Sequence, residues 1–364
     1  MTTPSSSRDG ADRCPGLLTP FVSADGAMVR LRLPGGRVDG VTLAEISSLA
    51  ARFGDPDITL TSRGSLQLRG LPAPLPRELI TAIGDLGLIP SGAHDKARNI
   101  IADPDESLDD LVEALDEGLL ADRALAGLPG RFLLAVARPG GPVLGEPWDI
   151  AVVDEGGTAR VIVGEHCVVM PREDAVEGAL AVARRFLDTR SDAKTWNIRD
   201  LPVETRAALL PEGTPFAEEA RETPTPGPIG DDLLVLVPLG LLTSQMAAAL
   251  TSPLRITPWR SIFVPGGASR CDELAAAGFV TTPDSPWTVL TACAGAPSCA
   301  RTGTPTRELA RAAAPLIDPT GPPVHVIGCE RACGHPARAH TIVLNPSTAA
   351  DIVAAQHSPR HEKA

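Results

Sequence analysis

No apolar run in this 364-residue chain approaches the ~18 residues that a membrane span requires. The opening MTTPSSSRDGADR also lacks the apolar stretch that directs secretion. These absences predict a soluble, cytoplasmic protein. Positive charge is scarce as well: 33 basic against 45 acidic residues give a formal charge of −12, which disfavours nucleic acid as a bulk partner because phosphate binding needs a basic field. An anionic ligand would need a locally basic pocket instead. Tyrosine is absent, and only Lys96, Lys194 and Lys363 among the 33 basic residues are lysines. Compositional bias toward Ala, Gly and Pro accounts for much of this, yet a guanidinium fork pairs at two points with a carboxylate where an ammonium cannot. Seven cysteines, an odd number, rule out a complete disulfide framework. The length predicts two or more packed units.

What the chain does have is two short cysteine pairs, TACAGAPSCARTG with Cys293 and Cys299 and VIGCERACGHP with Cys329 and Cys333. Thiolates at C-x5-C and C-x3-C spacing, in Gly- and Pro-bearing loops about thirty residues apart, can hold the four irons of one cubane [4Fe–4S] cluster. Electron transfer is the chemistry this suggests. Structural zinc, which favours tighter C-x2-4-C knuckles, and ordinary buried cysteines are the alternatives. Cys14, Cys167 and Cys271 stand alone and read as small core or surface residues. His325 and His335 lie nearest the second pair; each reads first as a hydrogen-bonded structural residue and second as a metal ligand.

The chain also repeats itself. MVRLRLPGGRVDGVTLAEISSLAARFGDPDITLTSRGSLQLRGLP reads as strand, turn, helix, strand, and LLVLVPLGLLTSQMAAALTSPLRITPWRSIFVPGG follows the same plan in shortened form. PGG matches PLG, and ITLTSRGSLQLRG matches LRITPWRSIFVPG. In the first copy Thr42 and Glu45 fit a capping box, and Leu43, Ile46, Leu49, Ala50 and Phe53 recur at helical spacing. Neither copy is large enough to stand alone, so two pseudo-symmetric halves meeting edge to edge are expected, with a cleft along their axis. The predicted order is a flexible start over 1–14, a half-module over 15–86, an α/β unit over 87–195, a Pro- and Glu-rich linker over 196–230, a second half-module over 231–285 and a second α/β unit over 286–364.

Together these motifs resemble the sulfite and nitrite reductase family, over nearly the whole chain; TACAGAPSC and GCERACGHP are the specific signatures, TSRGSLQLRG and ARNIIADP less so. The resemblance implies an α+β, pseudo-twofold architecture with two ferredoxin-like half-domains and two larger α/β domains. It implies that Cys293, Cys299, Cys329 and Cys333 ligate the cluster, with Cys333 facing a tetrapyrrole pocket. Arg63 in TSRGSLQLRG and Arg98 in ARNI match the family's anion-binding arginines. Arg131 in LPGRFLLAV, and Arg260, which enters because TPWR lies opposite TSRG, complete the arginines expected to line the cavity.

Departures from the reductase pattern point to one branch. Leu133 stands where reductases carry a second lysine beside the oxyanion, and losing a cationic donor there disfavours oxyanion reduction. Length, CPG at Cys14–Gly16, ITPWR and VIGCERACGHP resemble the cobalamin-pathway branch, the precorrin-3B synthases. That resemblance implies precorrin-3A and O2 as substrates, C20 hydroxylation with γ-lactone closure, a separate mononuclear non-haem iron, no sirohaem, and NADH as electron source. No G-x-G-x-x-G fingerprint in strand and helix context is visible, so NADH is expected to act through a partner reductase. No H-x-D/E motif for a facial triad is present either, and the catalytic residues stay unassigned. A sirohaem-dependent sulfite or nitrite reductase and a non-enzymatic Fe–S electron carrier remain the alternatives.

Overall fold

The computed structural model describes residues 12–217 and 222–357; most of the expected flexible start, and residues 218–221 of the expected linker, lie outside the described residues. Its backbone forms four sheets. The first half-module builds an antiparallel sheet in the order Phe21–Ser23, Gly26–Leu31, Leu66–Leu71, Ile58–Leu60, and the second builds its counterpart in the order Gly227–Ile229, Asp232–Leu236, Ser261–Val264, Leu254–Ile256. Each then receives its fifth strand from the other copy. Leu241–Leu242 pairs with Ile58–Leu60, and Arg37–Val38 pairs with Leu254–Ile256. The pseudo-twofold expected from the repeat is therefore built by reciprocal strand exchange.

Glycine makes the exchange possible. Gly36 and Gly240, both with positive φ in the matched PGG and PLG turns, lie against the backbone of the opposite copy, where an added Cβ would stand 2.0 Å from Ile256 O and 3.1 Å from Leu60 O respectively. Leu60 and Ile256 end equivalent strands, so the two close approaches are one contact seen twice.

Helix Gly40–Phe53 covers the first sheet and buries Leu43, Ile46, Leu49 and Ala50, the predicted face. Its cap is Asp39, whose carboxylate accepts from Thr42 N at 2.7 Å and from the Thr42 hydroxyl, so the helix starts three residues earlier than a Thr42 and Glu45 capping box would set it. Helix Ser244–Ala249 of the second copy packs beside it, and both copies share one apolar core.

Between the copies runs a six-stranded mixed sheet in the order Thr214–Pro215, His166–Pro171, Thr158–Val163, Ile150–Asp154, Leu134–Ala137, Ile100–Ala102, with the last three parallel. Helices Asp109–Ala121 and Ala175–Thr189 pack on it. The segment expected to be a linker departs from that reading in its first part: Ile198, Leu201, Leu209 and Leu210 are buried in this unit's core, and Thr214–Pro215 adds an edge strand. Its aliphatic residues, spaced among charges, supply enough apolar surface to pack. The C-terminal unit is a parallel sheet of Leu290–Ala292, Val324–Ile327 and Thr341–Leu344, with helices Thr306–Ala313 and Ala349–His357.

Candidate active site

The strand-connecting turns of the two half-modules carry the basic side chains to one place. In the first, Thr61 N donates to Ser65 O at 3.0 Å, and Arg63 sits at the tip with Gly64 after it. Arg30 projects from strand Gly26–Leu31 on the side away from the core, since Ala27, Val29 and Leu31 alternate inward. Burial first, then the nearby guanidiniums of Arg30, Arg131 and Arg199, lower Arg63 to about 10. It stays cationic at neutral pH. The Nε atoms of Arg63 and Arg30 are buried without a hydrogen-bond partner. Arg30 Nη1 donates to Cys14 Sγ at 3.0 Å and Arg131 pairs with Asp12 at 3.4 Å; the remaining guanidinium donors have the chemistry that pairs with carboxylates.

Across from them lies Glu146, 9% exposed, in the loop after the short turn Pro142–Gly145. Burial lifts its carboxyl to about 7 against the opposing influence of the Trp259 indole, Arg260 and Arg63. The Trp259 Nε1 atom is buried and makes no hydrogen bond of ordinary geometry. Arg260 follows in the second turn at φ 57, its Nη2 donating to Gly334 O directly after Cys333. Burial and then Arg307 lower Arg260 to about 10. Glu146 also lines a cavity of about 220 Å³ with Asp149, Arg199 and Arg206. A neighbouring cavity of about 720 Å³ is lined by Trp148, His166 and Phe216 among others and by no arginine.

The cysteine loops come from the ends of adjacent parallel strands. Cys293 follows Leu290–Ala292 and is buried; its carbonyl accepts from the Thr306 hydroxyl at 2.8 Å, and Gly295, at φ 61, lets the chain turn against Thr306. Ser298 O, beside Cys299, accepts from Ser23 Oγ and Arg69 Nη2, each at 2.8 Å, which ties this loop to the first half-module. Cys329 and Cys333 follow Val324–Ile327. His325, fully buried, bonds Thr291 Oγ1 through Nδ1 at 2.9 Å and the Cys333 carbonyl through Nε2 at 3.3 Å. Burial first and Arg260 next hold it at about 3, so it is a neutral brace for the loop. His335 Nδ1 contacts Pro336 O at 3.1 Å and its ring stacks on His340.

Burial raises the Cys333 thiol, and Cys329, Cys293 and Cys299 follow as causes, so all four thiols are electrostatic neighbours. Among the described residues no three His, Cys, Asp or Glu side chains converge as the ligands of a single ion would. A cubane differs in that each thiolate takes its own iron at a separate corner, and the four-thiol donor set fits it. A mononuclear iron finds no ready ligand set among the described residues.

Two of the four sequence-predicted arginines, Arg63 and Arg260, face Glu146. Arg131 is near them, half exposed, with its guanidinium 4.9 Å over the Trp196 ring. Arg98 lies apart from them: Nε and Nη2 clamp Asp116 at 2.7 and 2.6 Å and Nη1 donates to Leu88 O, so three of its five N–H groups are committed inside the protein. Its motif position is a structural pin. Sequence reasoning missed Glu146, Arg30, Arg199 and Trp259; alternation in MVRLRL could have flagged Arg30, and Trp259 stood inside the quoted ITPWR.

A model of the nitrite/sulfite reductase ferredoxin-like half domain matches residues 22–75. A precorrin-3B synthase from Sinorhizobium sp is 32% identical, with 95% of this chain and 83% of that protein aligned. A ferredoxin–nitrite reductase from Synechococcus elongatus is 32% identical over 30% of this chain and 24% of its own length, and the sulfite reductase [NADPH] hemoprotein beta-component of Acidithiobacillus ferrooxidans is 38% identical over 21% and 14%. The solved structure of the Mycobacterium tuberculosis NirA protein superposes with a TM-score of 0.64 at 19% identity, covering 85% of this chain and 69% of that one. The two local matches mark shared motifs and the superposition marks a shared fold, whereas the alignment to the synthase spans most of both proteins. The chain is an oxidoreductase that belongs to the precorrin-3B synthase family within the sulfite/nitrite reductase-like superfamily.

Proposed function

We propose that this cytoplasmic protein hydroxylates precorrin-3A at C20 with O2 and closes a γ-lactone, drawing electrons from NADH through a partner reductase and carrying no sirohaem. One observation carries the reading: Arg63 gathers with Arg30, Arg131 and Arg199, the Nε atoms of Arg63 and Arg30 are without a partner, and Arg260 in the matching turn reaches the carbonyl after Cys333. A uroporphyrinoid bearing several carboxylates complements such a surface, and each charge-assisted pair adds about 1.5–3 kcal/mol. Arg63, Arg131 and Arg260 are the proposed carboxylate partners, joined by Arg30 and Arg199. Cys293, Cys299, Cys329 and Cys333 would hold a [4Fe–4S] cluster, which supplies one-electron transfer when bound.

Oxyanion reduction is the weaker reading. Leu133 is fully buried in an apolar group with Ile101, Ala135 and Val153, and Trp259 packs against it, so that position offers a small anion nothing. The test incubates purified protein with precorrin-3A, a reductase system and labelled O2, and weighs the product. One labelled oxygen in a hydroxylactone is expected. Brisk sulfite or nitrite reduction with the macrocycle untouched would overturn the proposal.

A further inference from the structure

Glu146 is a buried carboxylate that faces Arg63 and Arg260 in the arginine-lined site. Asp149, beside it, differs: its oxygens accept from Leu133 N, Asn197 Nδ2 and Ile198 N at 2.9, 2.9 and 2.7 Å, which makes it a brace for the Trp196–Leu201 segment. Glu146 has two cations near it, Arg63 from the first half-module and Arg260 from the second, together with the buried Trp259 N–H, which acts on its carboxyl. It also lines the cavity of about 220 Å³ with Asp149, Arg199 and Arg206, and this is room for water. Arg260 reaches from Glu146 to the carbonyl after Cys333, so one side chain spans the proton-bearing group and the cysteine loop.

We infer that Glu146 is the proton-exchanging carboxyl of the tetrapyrrole site, taking protons from the adjacent cavity and delivering them to the reducing oxygen. The inference rests on the precorrin reading. Hydroxylation consumes O2, two electrons and two protons, and leaves one oxygen in the product and one in water; NADH supplies the electrons and one of the protons. In the step assigned here the O–H bond of the carboxylic acid breaks, a new O–H bond forms on reduced oxygen, and the carboxylate regains a proton that the medium supplies through water in the cavity, which is the second proton of the balance. A buried carboxyl that titrates near neutrality suits that exchange. Arg63 and Arg260 keep its anion soluble in the site between transfers, and Arg199, Arg206 and Asp149 complete the charged groups around it.

The experiment compares wild type, Glu146→Gln and Glu146→Asp as cluster-loaded proteins. Infrared difference spectra across pH 5–9 report the carboxylic acid C=O band without substrate, and turnover of precorrin-3A is measured over the same range, with affinity read from macrocycle absorbance. The inference expects a band that titrates near pH 7 and disappears in Glu146→Gln, while a separate component from Asp149 stays. It expects wild-type turnover to fall as pH rises through that midpoint, roughly a hundredfold lower turnover without that limb in Glu146→Gln, partial rescue in Glu146→Asp, and similar affinity in all three. Absence of the band, or an unchanged pH limb in Glu146→Gln, overturns it. Failure of the functional reading looks different: wild type with the band intact that leaves precorrin-3A unaltered at every pH, which removes the assigned role as well.

Discussion

Trp259 occupies in the second half-module the place that Arg63 occupies in the first. The two turns close with matching bonds, Thr61 N to Ser65 O at 3.0 Å and Thr257 N to Ser261 O at 2.9 Å, and Gly64 at φ 59 is matched by Arg260 at φ 57. The repeat thus supplied a cation from the neighbouring position, one that ordinarily belongs to glycine. Holding an arginine there costs about 1–2 kcal/mol of backbone energy.

Arg260→Gly should therefore leave the melting temperature close to wild type, because relief of the backbone offsets the lost bond to Gly334 O, while tetrapyrrole affinity drops roughly ten- to hundredfold. Thermal melts and absorbance titrations separate the two effects. A large loss of stability with affinity unchanged would assign Arg260 to the fold.

Arg63→Ala and Arg98→Ala should separate in the opposite way. Without Arg63, whose Nε has no partner in the protein, binding weakens by about 1.5–3 kcal/mol and folding is little changed. Without Arg98, the Asp116 carboxylate loses a two-point partner in a largely buried pair, and unfolding free energy falls by about 3–5 kcal/mol. Urea unfolding curves read beside binding isotherms decide between these roles.

Replacement of Cys329 by serine should remove the broad absorbance near ~400 nm of a [4Fe–4S] protein, together with iron and acid-labile sulfide. Cys167→Ser should keep both, because Cys167 is 5% exposed among Ile101, Ala151 and Val153, remote from the other thiols in sequence and paired with none of them. Full iron and sulfide content in Cys329→Ser would exclude it as a ligand.

Glu146 also imposes a pH dependence on stability. Its carboxyl sits at about 7 when folded and near the ordinary glutamate value of 4.5 when unfolded, so the folded state holds the proton more tightly. That contribution is complete below pH 4.5 and is lost as pH rises through 7, to a total of about 3 kcal/mol. Asp149, raised to about 6 by burial, acts in an overlapping window and is present in both proteins. The stability difference between wild type and Glu146→Gln should therefore move in favour of the glutamine form between pH 5 and 8, by urea titration at each pH. A flat difference would mean that Glu146 titrates in the ordinary carboxylate range.

Much of the scaffold could be read in advance because it rests on local signals. Alternation in MVRLRL, the i, i+3, i+4 series from Leu43 to Ala50, and the PGG and PLG turns are consequences of strand, helix and tight-turn geometry acting on a few residues each. Strand exchange was not legible, because two-residue strands such as Arg37–Val38 and Leu241–Leu242 carry no periodicity of their own. The site was legible only where charge or thiol chemistry announced itself. Arg98 shows the limit: a buried pin and a ligand-binding arginine look alike until Asp116, eighteen residues on, is seen beside it. Glu146 was invisible for the converse reason, since its character comes from burial among groups far apart in the chain.

The reciprocal strands bear on how such a protein can change over time. Once Arg37–Val38 completes the sheet of the second copy and Leu241–Leu242 completes that of the first, a substitution that shifts either crossing must suit two sheets at once. Neither copy can be deleted, transplanted or allowed to drift without leaving an open edge on the other, and an open edge invites pairing with foreign chains. The loops at the strand ends are under no such obligation. The lineage is left free to rewrite its chemistry at Arg63, Trp259 and Arg260 while the architecture beneath them stays locked.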